Sequence, residues 1–533
     1  MKKIIAAITG LFFIGYALII FSTFQDYGIT WDEEVHNEYG KRVVRYYSSG
    51  MTDGSAFKLR NLRLYGGWFD GTADLLKRIS PFGEYETRHL FNAAVGFFGV
   101  VGVFYFAHYL TGSPAMGLLA AILLVLTPRY YGHTFNNPKD VPFAVFYLWS
   151  IYLIAKASER WRSGKTSKKA DWVLGLVIGT CMGTRPPGLV IMFYLGLVFL
   201  AVRKMNRAKS QSSSPLIQSA KTKLLRPIIV AVATMFVFWP YSHLNPFGNI
   251  LYALKMVSDF PWNFPLMFDG REIRATEIPW NYILKWYGIT MPLPQLGGFF
   301  LFLIFWLLRV FRSQDEAFIS LNLVFFSMGF PLAWAIATNA TLYDGLRHFL
   351  FLAPLMAVAA AWGIFQFHRS LRIGFHLSGK KELVLGIGLM AVVSSGLISV
   401  VKWNIHSHPQ QYTYFNQTIG GIRGAFGKYE LEYFGSSDRQ AALWLNSYIE
   451  KQKLGRKILV CSYSTPAQTK YYLNTKYFIY NPEKKDTKNC DVFIANLRWG
   501  VAPKGEVIHA FSIDGVPLVY IVLNNNRLKV QPN

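Results

Sequence analysis

The chain has 533 residues, of which 52% are hydrophobic, 17% aromatic and only 16% charged. Soluble domains carry about 25% charged residues, whereas apolar stretches of about 20 residues, long enough to span a bilayer, recur along this chain. The composition therefore excludes an ordinary soluble protein and predicts a polytopic membrane protein. A formal net charge of +25 would suggest nucleic acid as a partner of a soluble protein. Here much of that charge lies between apolar segments, so we expect no nucleic acid partner.

The apolar run after Met1-Lys2-Lys3 is the first of eleven predicted spans. No small-residue cleavage site follows it, so we expect a retained helix rather than a cleaved signal peptide. The predicted spans are 4–21, 91–108, 113–127, 141–155, 172–183, 188–202, 227–243, 290–308, 317–339, 349–367 and 383–401. The short segments 172–183 and 188–202 are either two spans or a re-entrant hairpin.

The positions of Lys and Arg predict the orientation, because cytoplasmic loops carry an excess of both. The loops 156–171 and 203–226 are rich in Lys and Arg, and they share one side with the N-terminus. That side is predicted to be the cytoplasm. The opposite side receives the loops 22–90, 128–140, 244–289 and 340–348 and the C-terminal region.

Residues 405–533 are predicted to form a small, soluble α/β domain outside the cytoplasm, after a transmembrane domain at 1–404. The pattern predicts a helix at 437–452, strands at 457–464 and 490–496, and a hairpin at 510–523 that turns at Asp514-Gly515. Three cysteines are too few for a disulfide framework or a Cys-based zinc site. Cys461 and Cys490 could pair if this domain is exported, but two buried thiols are the favoured interpretation.

Charged residues collect in the outer loops, and none of the eleven predicted spans contains Asp, Glu, Lys or Arg. Ion-coupled transporters and proton pumps usually need ionisable groups near the middle of the membrane. The pattern therefore favours a reaction at the outer membrane–water boundary over a pathway through the bilayer.

Four outer segments hold the candidate functional residues. They are WDEEVHNEYG (31–40) on a predicted amphipathic helix, TPRYYGHTFNNPKD (127–140), TNATLYDGLRHFLFLAP (338–354) and LMFDGREIRATEIPWNYILKWYGITMP (266–292). Taken singly, each segment also fits an ordinary role, such as a solvated turn, a capping residue, a snorkelling Arg or an interfacial aromatic belt.

In this order and on one side of the membrane, the motifs resemble those of the GT-C glycosyltransferases. The relatives are the dolichyl-phosphate-mannose protein mannosyltransferases and the bacterial aminoarabinose transferase of lipid A. The motifs that carry the resemblance are WDE (31–33), NPKD (137–140), GTRPPG (183–188), IPWNYILKW (278–286) and YDGLRHFLFLAP (343–354). HPQQYTYFNQTIGG (408–421) and KYELEYFGSSDRQAALWLN (428–446) are similar to the tail of bacterial members.

The resemblance implies that a sugar moves from a polyprenyl-phosphate donor to an acceptor hydroxyl outside the cytoplasm, with inversion of the anomeric centre. By position, Asp32 matches the catalytic Asp of the family, Glu33 its neighbour and Asp140 the acidic residue of the second loop. A carboxylate suits the base that takes the proton of the acceptor hydroxyl. The leaving phosphate needs cations rather than a strong acid. The candidates for binding the donor phosphate are Lys139, Arg185, Arg347 and His348.

The C-terminal region lacks the sugar-binding repeats of the eukaryotic protein mannosyltransferases. This difference indicates a bacterial enzyme of the inner membrane and leaves open whether the acceptor is a lipid, a glycan or a protein. The sequence assigns no certain cofactor, and a divalent cation could be held by Asp140 with His36, His133 or His348. Two other functions stay open: a flippase or transporter of lipid-linked saccharides, and a non-catalytic assembly protein of the cell envelope.

Overall fold

The computed structural model describes residues 2–59, 61–208, 216–312, 318–452, 456–482, 490–499 and 505–524. Their α-helices are α1 (Lys2–Thr23), α2 (Glu33–Ser48), α3 (Trp68–Leu76), α4 (Glu84–Thr111), α5 (Pro114–Val125), α6 (Pro128–Asn136), α7 (Asp140–Arg162), α8 (Lys168–Met182), α9 (Val190–Ala208), α10 (Leu216–Lys223), α11 (Leu225–Phe238), α12 (Pro246–Ser258), α13 (Tyr282–Thr290), α14 (Leu293–Arg312), α15 (Phe318–Ala337), α16 (Ala353–Gly374), α17 (Lys380–His406), α18 (Gly421–Ala425), α19 (Asp438–Gln452) and α20 (Pro466–Lys470). The strands are β1 (Pro265–Phe268), β2 (Arg271–Arg274), β3 (Ile458–Ser462), β4 (Phe478–Tyr480), β5 (Val492–Asn496), β6 (Glu506–Ile513) and β7 (Val516–Leu523).

The predicted fold class, a mainly helical membrane protein with a C-terminal sheet, is confirmed. Within the described residues, eight helices are long and apolar enough to cross a bilayer, or nine if α5 and α6 form one bent span. Two further predicted spans, 172–183 and 227–243, correspond to α8 and α11, which have 15 and 14 residues. At 1.5 Å per residue each is about 21–23 Å long, shorter than a hydrocarbon core of about 30 Å. The count of eleven spans therefore stays a prediction.

The bend of 70° between α5 and α6 brings the second outer segment into the protein interior. Thr127 between the two helices is extended, with φ −89° and ψ 99°, because a residue before proline disfavours the helical conformation. Pro128 then starts α6, in which all nine residues are buried. The bend thus turns α6, with its polar residues, into the protein interior. A straight helix would instead have continued in the direction of α5.

Helices α8 and α11 approach closely along two glycines of α8 and Gly183, which directly follows α8. A Cβ at Gly175 would lie 2.7 Å from the carbonyl oxygen of Pro227, and one at Gly179 would lie 2.5 Å from that of Ala231. A Cβ at Gly183 would lie 2.8 Å from the side chain of Phe238. Small residues at such spacing let two helices pack backbone to backbone in a membrane.

The C-terminal sheet has the strand order β4-β3-β5-β7-β6. Strand β3 is parallel to β4 and β5, whereas β7 is antiparallel to β5 and β6. The predicted helix, strands and hairpin are all found, and Asp514 (φ 51°) and Gly515 (φ 78°) form the turn between β6 and β7. Positive φ at both positions is what a type I′ hairpin turn requires.

Cys461 and Cys490 are joined by a disulfide, so the favoured interpretation of two buried thiols was wrong. The bridge links β3 to the residue two positions before β5, and the strands become neighbours only through the parallel pairing. Cys181 is a buried free cysteine. Disulfides persist mainly in oxidising compartments, which agrees with the predicted exported location of this domain.

We therefore expect one reactive thiol per chain when the protein is denatured without a reducing agent and labelled with a maleimide, and three after reduction. The measurement is the mass of the labelled protein. In a Cys181→Ser control, the unreduced protein should take up no label. Three labels without reduction would contradict both the bridge and the exported location of the C-terminal domain.

Candidate active site

The guanidinium of Arg347 brings together three carboxylates from distant parts of the chain. Its Nη2 donates to Asp32, its Nε donates to Asp140 Oδ2 at 3.0 Å, and its Nη1 donates to Asp344 Oδ2 at 2.7 Å. The Arg347 side chain is only 5% exposed. The first, second and third predicted segments therefore converge on one buried cation.

Two further cations share these carboxylates. Lys139 Nζ lies 3.3 Å from Asp32 Oδ2, and Arg185 Nη1 donates to Asp140 Oδ1. Both cations also face the ring of Tyr65, at 5.1 Å for Lys139 and 5.8 Å for Arg185. Four of the residues predicted to act on the donor or the acceptor are thus in direct contact with Arg347 or with one of its carboxylates.

Arg498 of the C-terminal region completes this arrangement. Its Nη2 donates to Asp344 Oδ1 at 2.7 Å, and its Nη1 donates to the carbonyl oxygen of Tyr433. Its guanidinium also lies 5.8 Å above the ring of Trp31. We call the seven charged residues the Arg347 cluster: Asp32, Lys139, Asp140, Arg185, Asp344, Arg347 and Arg498. Within it, four cations face three carboxylates, which leaves one excess positive charge.

Local backbone structure places each carboxylate of the cluster. Asp32 directly precedes α2 and Asp140 is the first residue of α7, and helix N-termini favour negative charge. Asn137 accepts the backbone N–H of Asp140 at 3.0 Å and donates to its carboxylate at 3.0 Å. Asp344 and Gly345 have φ of 58° and 66°, so the chain reverses there and brings Asp344 onto Arg347, three residues on.

Asp32 is the accessible carboxylate of the cluster. Its side chain is 30% exposed, whereas those of Asp140 and Asp344 are each 1% exposed. Burial alone would raise the pKa of Asp32, but Arg347 and Lys139 outweigh burial and hold the pKa well below its ordinary value. Asp32 is therefore ionised and positioned to meet a ligand, while Asp140 and Asp344 are enclosed by their cations.

Glu33 is not brought into the cluster by any contact among the described residues. Its carboxylate accepts from the backbone N–H of Thr30 at 2.9 Å and the hydroxyl of Thr30 at 3.2 Å, and it lies 3.0 Å from His89 Nε2. One turn later, His36 Nδ1 lies 2.7 Å from Asp70 Oδ2. These buried contacts fix the start of α2 against α3 and α4, and so fix Asp32 indirectly.

An apolar cavity of about 440 Å³ lies beside the cluster. Tyr65 and Arg185, both in contact with the cluster, form part of its wall together with His348. His348 makes no ion pair among the described residues, and its ring packs edge-on against Tyr343 at 4.5 Å. We call this space the outer cavity; its apolar wall includes Phe143, Val190, Leu254, Val257, Phe330, Trp334, Phe349 and Phe351. An apolar space with a cationic end fits an amphiphile with an anionic head group.

The fourth predicted segment lies outside the cluster. It forms β1, β2 and α13, and its Asp269 pairs with Lys285 at 2.5 Å on the surface. The segment contacts α6, which leads to the cluster, through Trp286 of α13. The ring of Trp286 lies 5.0 Å from the buried guanidinium of Arg129.

The residues present do not fit a divalent cation. In the part of the chain that the structure describes, no three His, Cys, Asp or Glu side chains converge as metal ligands. Of the predicted ligands, Asp140 pairs with Arg185 and Arg347, His36 with Asp70, and His133 Nε2 lies 2.8 Å from the Tyr433 hydroxyl. We therefore derive no step through a metal.

Sequence reasoning missed Asp344 and Arg498. Asp344 carried a usable signal, since it lies three residues before Arg347 and is followed by Gly345 in a turn. Arg498 carried none, because it lies 154 residues from Asp344 and follows an ordinary apolar strand.

Comparisons with known proteins match one stretch of the sequence and the overall fold. A family model described as dolichyl-phosphate-mannose-protein mannosyltransferase matches residues 77–236, which include Lys139, Asp140 and Arg185. In fold, the chain is similar to ArnT from Cupriavidus metallidurans in the apo state, with a TM-score of 0.52, 12% identity, and coverage of 97% of this chain and 98% of that chain. For ArnT bound to undecaprenyl phosphate, the TM-score is 0.51 at 11% identity, with coverage of 96% and 97%. Curated protein sequences gave no significant match. The predicted resemblance to GT-C enzymes is confirmed, and at this identity the solved structures establish the fold.

We expect Arg498→Ala to destabilise the purified protein by on the order of 2 kcal/mol, less than the loss of an entire buried ion pair, because Asp344 would keep Arg347 as its partner. The measurement is the shift in melting temperature. The matched control is Arg423→Ala, which removes an exposed guanidinium that donates to the Asp514 carbonyl oxygen at 2.7 Å. Asp344→Asn combined with Arg498→Ala should lose less than the sum of the single variants. Equal melting temperatures for Arg498→Ala and Arg423→Ala would contradict the structural role of the Arg498–Asp344 pair.

Proposed function

We propose that the protein is an integral membrane glycosyltransferase that moves a sugar from a polyprenyl-phosphate donor to an acceptor hydroxyl. The observation that carries this proposal is one accessible carboxylate, Asp32, paired with cations of a cluster whose Arg185 lines the apolar outer cavity. The fold similarity to ArnT bound to undecaprenyl phosphate supports the donor class. We place the reaction on the extracytoplasmic face of a bacterial inner membrane, with the N-terminus in the cytoplasm.

The donor is proposed to bind with its lipid in the outer cavity and its phosphate at the cationic end. Binding sites of about 300–1,000 Å³ are typical for small ligands, and 440 Å³ would hold the first units of the lipid while the rest stays in the bilayer. Arg185 and His348 line the cavity itself, and Lys139 and Arg347 are connected to Arg185 through the ion pairs of the cluster. Guanidinium groups bind phosphate oxygens bidentately, so Arg185 and Arg347 suit this role.

The proposed reaction is a single displacement at the anomeric carbon. The acceptor oxygen forms a bond to that carbon while the bond from the carbon to the phosphate oxygen breaks, and the bonding electrons leave with the phosphate. Lys139 and Arg347 stabilise the charge that develops on the leaving lipid phosphate. Asp32 takes the proton of the acceptor hydroxyl. Attack from the face opposite the phosphate would invert the anomeric centre.

Donor binding would also prepare Asp32 as a base. In the donor-free protein, Lys139 and Arg347 hold the pKa of Asp32 well below its ordinary value, and so weak a base would draw little proton from a hydroxyl. A phosphate that takes over part of the contacts of these two cations weakens their hold on Asp32. The pKa of Asp32 then rises, and the base becomes effective when a donor is present.

The remaining acidic residues are proposed to position the reacting groups. Asp140 and Asp344 hold the Arg347 guanidinium from two sides. Glu33 is proposed to serve the catalytic centre as the anchor of α2, through Thr30 and His89. The acceptor, which is a lipid, a glycan or a protein, would approach Asp32 from the side of Trp31 and the C-terminal region.

We expect Asp32→Asn to lower sugar transfer by about 10²- to 10⁴-fold, the usual contribution of a general base, without reducing donor binding. The protein would be placed in lipid nanodiscs with a panel of radiolabelled polyprenyl-phosphate sugars, and release of sugar from the lipid would be followed over time.

The matched control is Asp26→Asn, an exposed carboxylate of the same loop that pairs with His408 at 2.9 Å; it should retain activity. Full activity of Asp32→Asn would remove Asp32 as the base. Donor binding without sugar release, equal in wild type and Asp32→Asn, would instead favour a flippase or an assembly protein.

The pH dependence of Lys139→Gln tests the link between the cations and the base. Asp32 acts in its ionised form, so kcat, which reports the donor complex, falls as the pH drops through the pKa that Asp32 has in that complex. With Lys139 removed, that pKa rises, and the acidic limb of the profile should move to higher pH while the donor KM increases.

The control is Lys41→Gln, which removes a partly exposed lysine that pairs with Glu84 at 3.6 Å; its profile should match that of wild type. An increased donor KM in Lys139→Gln with an unmoved acidic limb would show that a group other than Asp32 limits the rate at low pH.

A further inference from the structure

We propose that the end of the helix bundle opposite the Arg347 cluster carries a binding site for the phosphate-bearing head group of an anionic lipid. The site is a second cavity of about 460 Å³, which we call the inner cavity. It is formed by the C-terminal ends of α4, α14 and α16 and by the first turn of α17. This proposal does not depend on the proposed sugar transfer.

The length of α4 and α16 places the inner cavity at the other boundary of the membrane. Arg88, near the start of α4, pairs with Asp70 behind the active site, whereas Leu110 and Thr111 at the end of α4 line the inner cavity. A helix of this length separates the two positions by about 35 Å, slightly more than a hydrocarbon core. Helix α16 also connects the two sites: it begins shortly after Arg347 and supplies Arg369 to the inner cavity near its other end.

The inner cavity combines an apolar floor with a cationic rim. Leu110, Trp362 and Phe365 supply apolar surface, and Trp362 is 2% exposed. The charged and titratable groups of its lining are Arg309, His368, Arg369, Arg372 and Glu382. Arg372 Nη1 donates to Glu382 Oε1 at 2.9 Å. Among the described residues of the lining there are three guanidinium groups and one carboxylate. Arg372 is paired with that carboxylate, and Arg369 is exposed.

This chemistry selects an anion with an apolar tail. Guanidinium groups match the geometry of phosphate oxygens, and basic pockets between transmembrane helices on the cytoplasmic side bind anionic lipid head groups. A free phosphate would use the rim only, whereas a lipid would also cover the apolar floor. The neighbouring cations Lys380 and Lys381 are exposed at the start of α17 and do not line the cavity. An excess of positive charge alone, which marks the orientation of the chain, would not need an enclosed space of this kind.

The test compares two double variants that remove the same charge from this end of the bundle. Arg369→Gln with Arg372→Gln removes two cations of the rim, and Lys380→Gln with Lys381→Gln removes two cations beside it. Each purified full-length protein would be titrated in detergent with phosphatidylglycerol, and retained lipid would be counted by native mass spectrometry alongside the melting temperature. Melting temperatures without added lipid would show that both variants are folded.

We expect the rim variant to lose roughly 30-fold in affinity for phosphatidylglycerol, since each cation near a head group contributes about 1 kcal/mol. The Lys380/Lys381 variant should bind as wild type does, and all three proteins should release labelled sugar equally. Glycerol 3-phosphate should bind far more weakly than the lipid. Equal losses in both double variants, or no saturable binding by wild type, would overturn the proposal. Equal binding of glycerol 3-phosphate and phosphatidylglycerol would assign the rim to a soluble phosphate and overturn the lipid as its ligand.

Discussion

The structure of the active site depends on burying one guanidinium. Arg347 is almost fully enclosed, and a buried charge is tolerated only when it is paired and hydrogen-bonded. Three carboxylates meet this requirement, and one of them, Asp32, lies 315 residues from Arg347 in the chain. Removing Arg347 would leave these carboxylates facing one another, and breaking buried pairs of this kind costs about 3–5 kcal/mol. The need to satisfy one cation therefore holds the loop before α2, the start of α7 and the turn before α16 together.

The same arrangement explains why a base and an anion site can coexist. A carboxylate next to several cations is a poor base, and cations already paired with carboxylates bind a new anion less strongly. Asp32 differs from Asp140 and Asp344 because it is partly exposed, so its cations are the ones that an incoming phosphate can most easily share. Asp140 and Asp344 keep Arg347 in place while that exchange occurs. Binding the donor and activating the base then follow from one redistribution of charge.

The sequence predicted what depends on local pattern. Charges at the ends of apolar helices, with the resemblance to GT-C motifs, singled out Asp32, Asp140, Lys139, Arg185 and Arg347, which lie in one cluster; their roles stay a prediction. Short apolar runs with β-branched residues predicted the strands of the C-terminal region, and the Asp-Gly pair predicted the turn between β6 and β7.

What the sequence did not predict depends on distant pairing. Arg498 joins the cluster only because the C-terminal sheet lies over the site, and the Cys461–Cys490 bridge forms only because β3 and β5 are neighbours. Glu33 follows Asp32 directly, yet the two carboxylates of adjacent helical residues point in different directions. One reaches Arg347, and the other reaches Thr30 and His89.

The two ends of α16 show why cation counts can predict orientation but not function. Before its first turn, Arg347 meets three aspartates and is enclosed. In its last turns, Arg369 and Arg372 meet one glutamate and stay largely open to water.

The excess of Lys and Arg predicted which end faces the cytoplasm. The number of carboxylates around each arginine decides how it can bind an anion. An arginine held by several carboxylates, such as Arg347, receives a phosphate only in exchange for part of those contacts, whereas an arginine with few carboxylates can receive an anion directly. At the outer end a phosphate must compete with aspartates for the cations. Its binding therefore changes the basicity of Asp32. At the inner end, Glu382 is the one carboxylate among the described residues that line the cavity, which suits a lipid that stays bound.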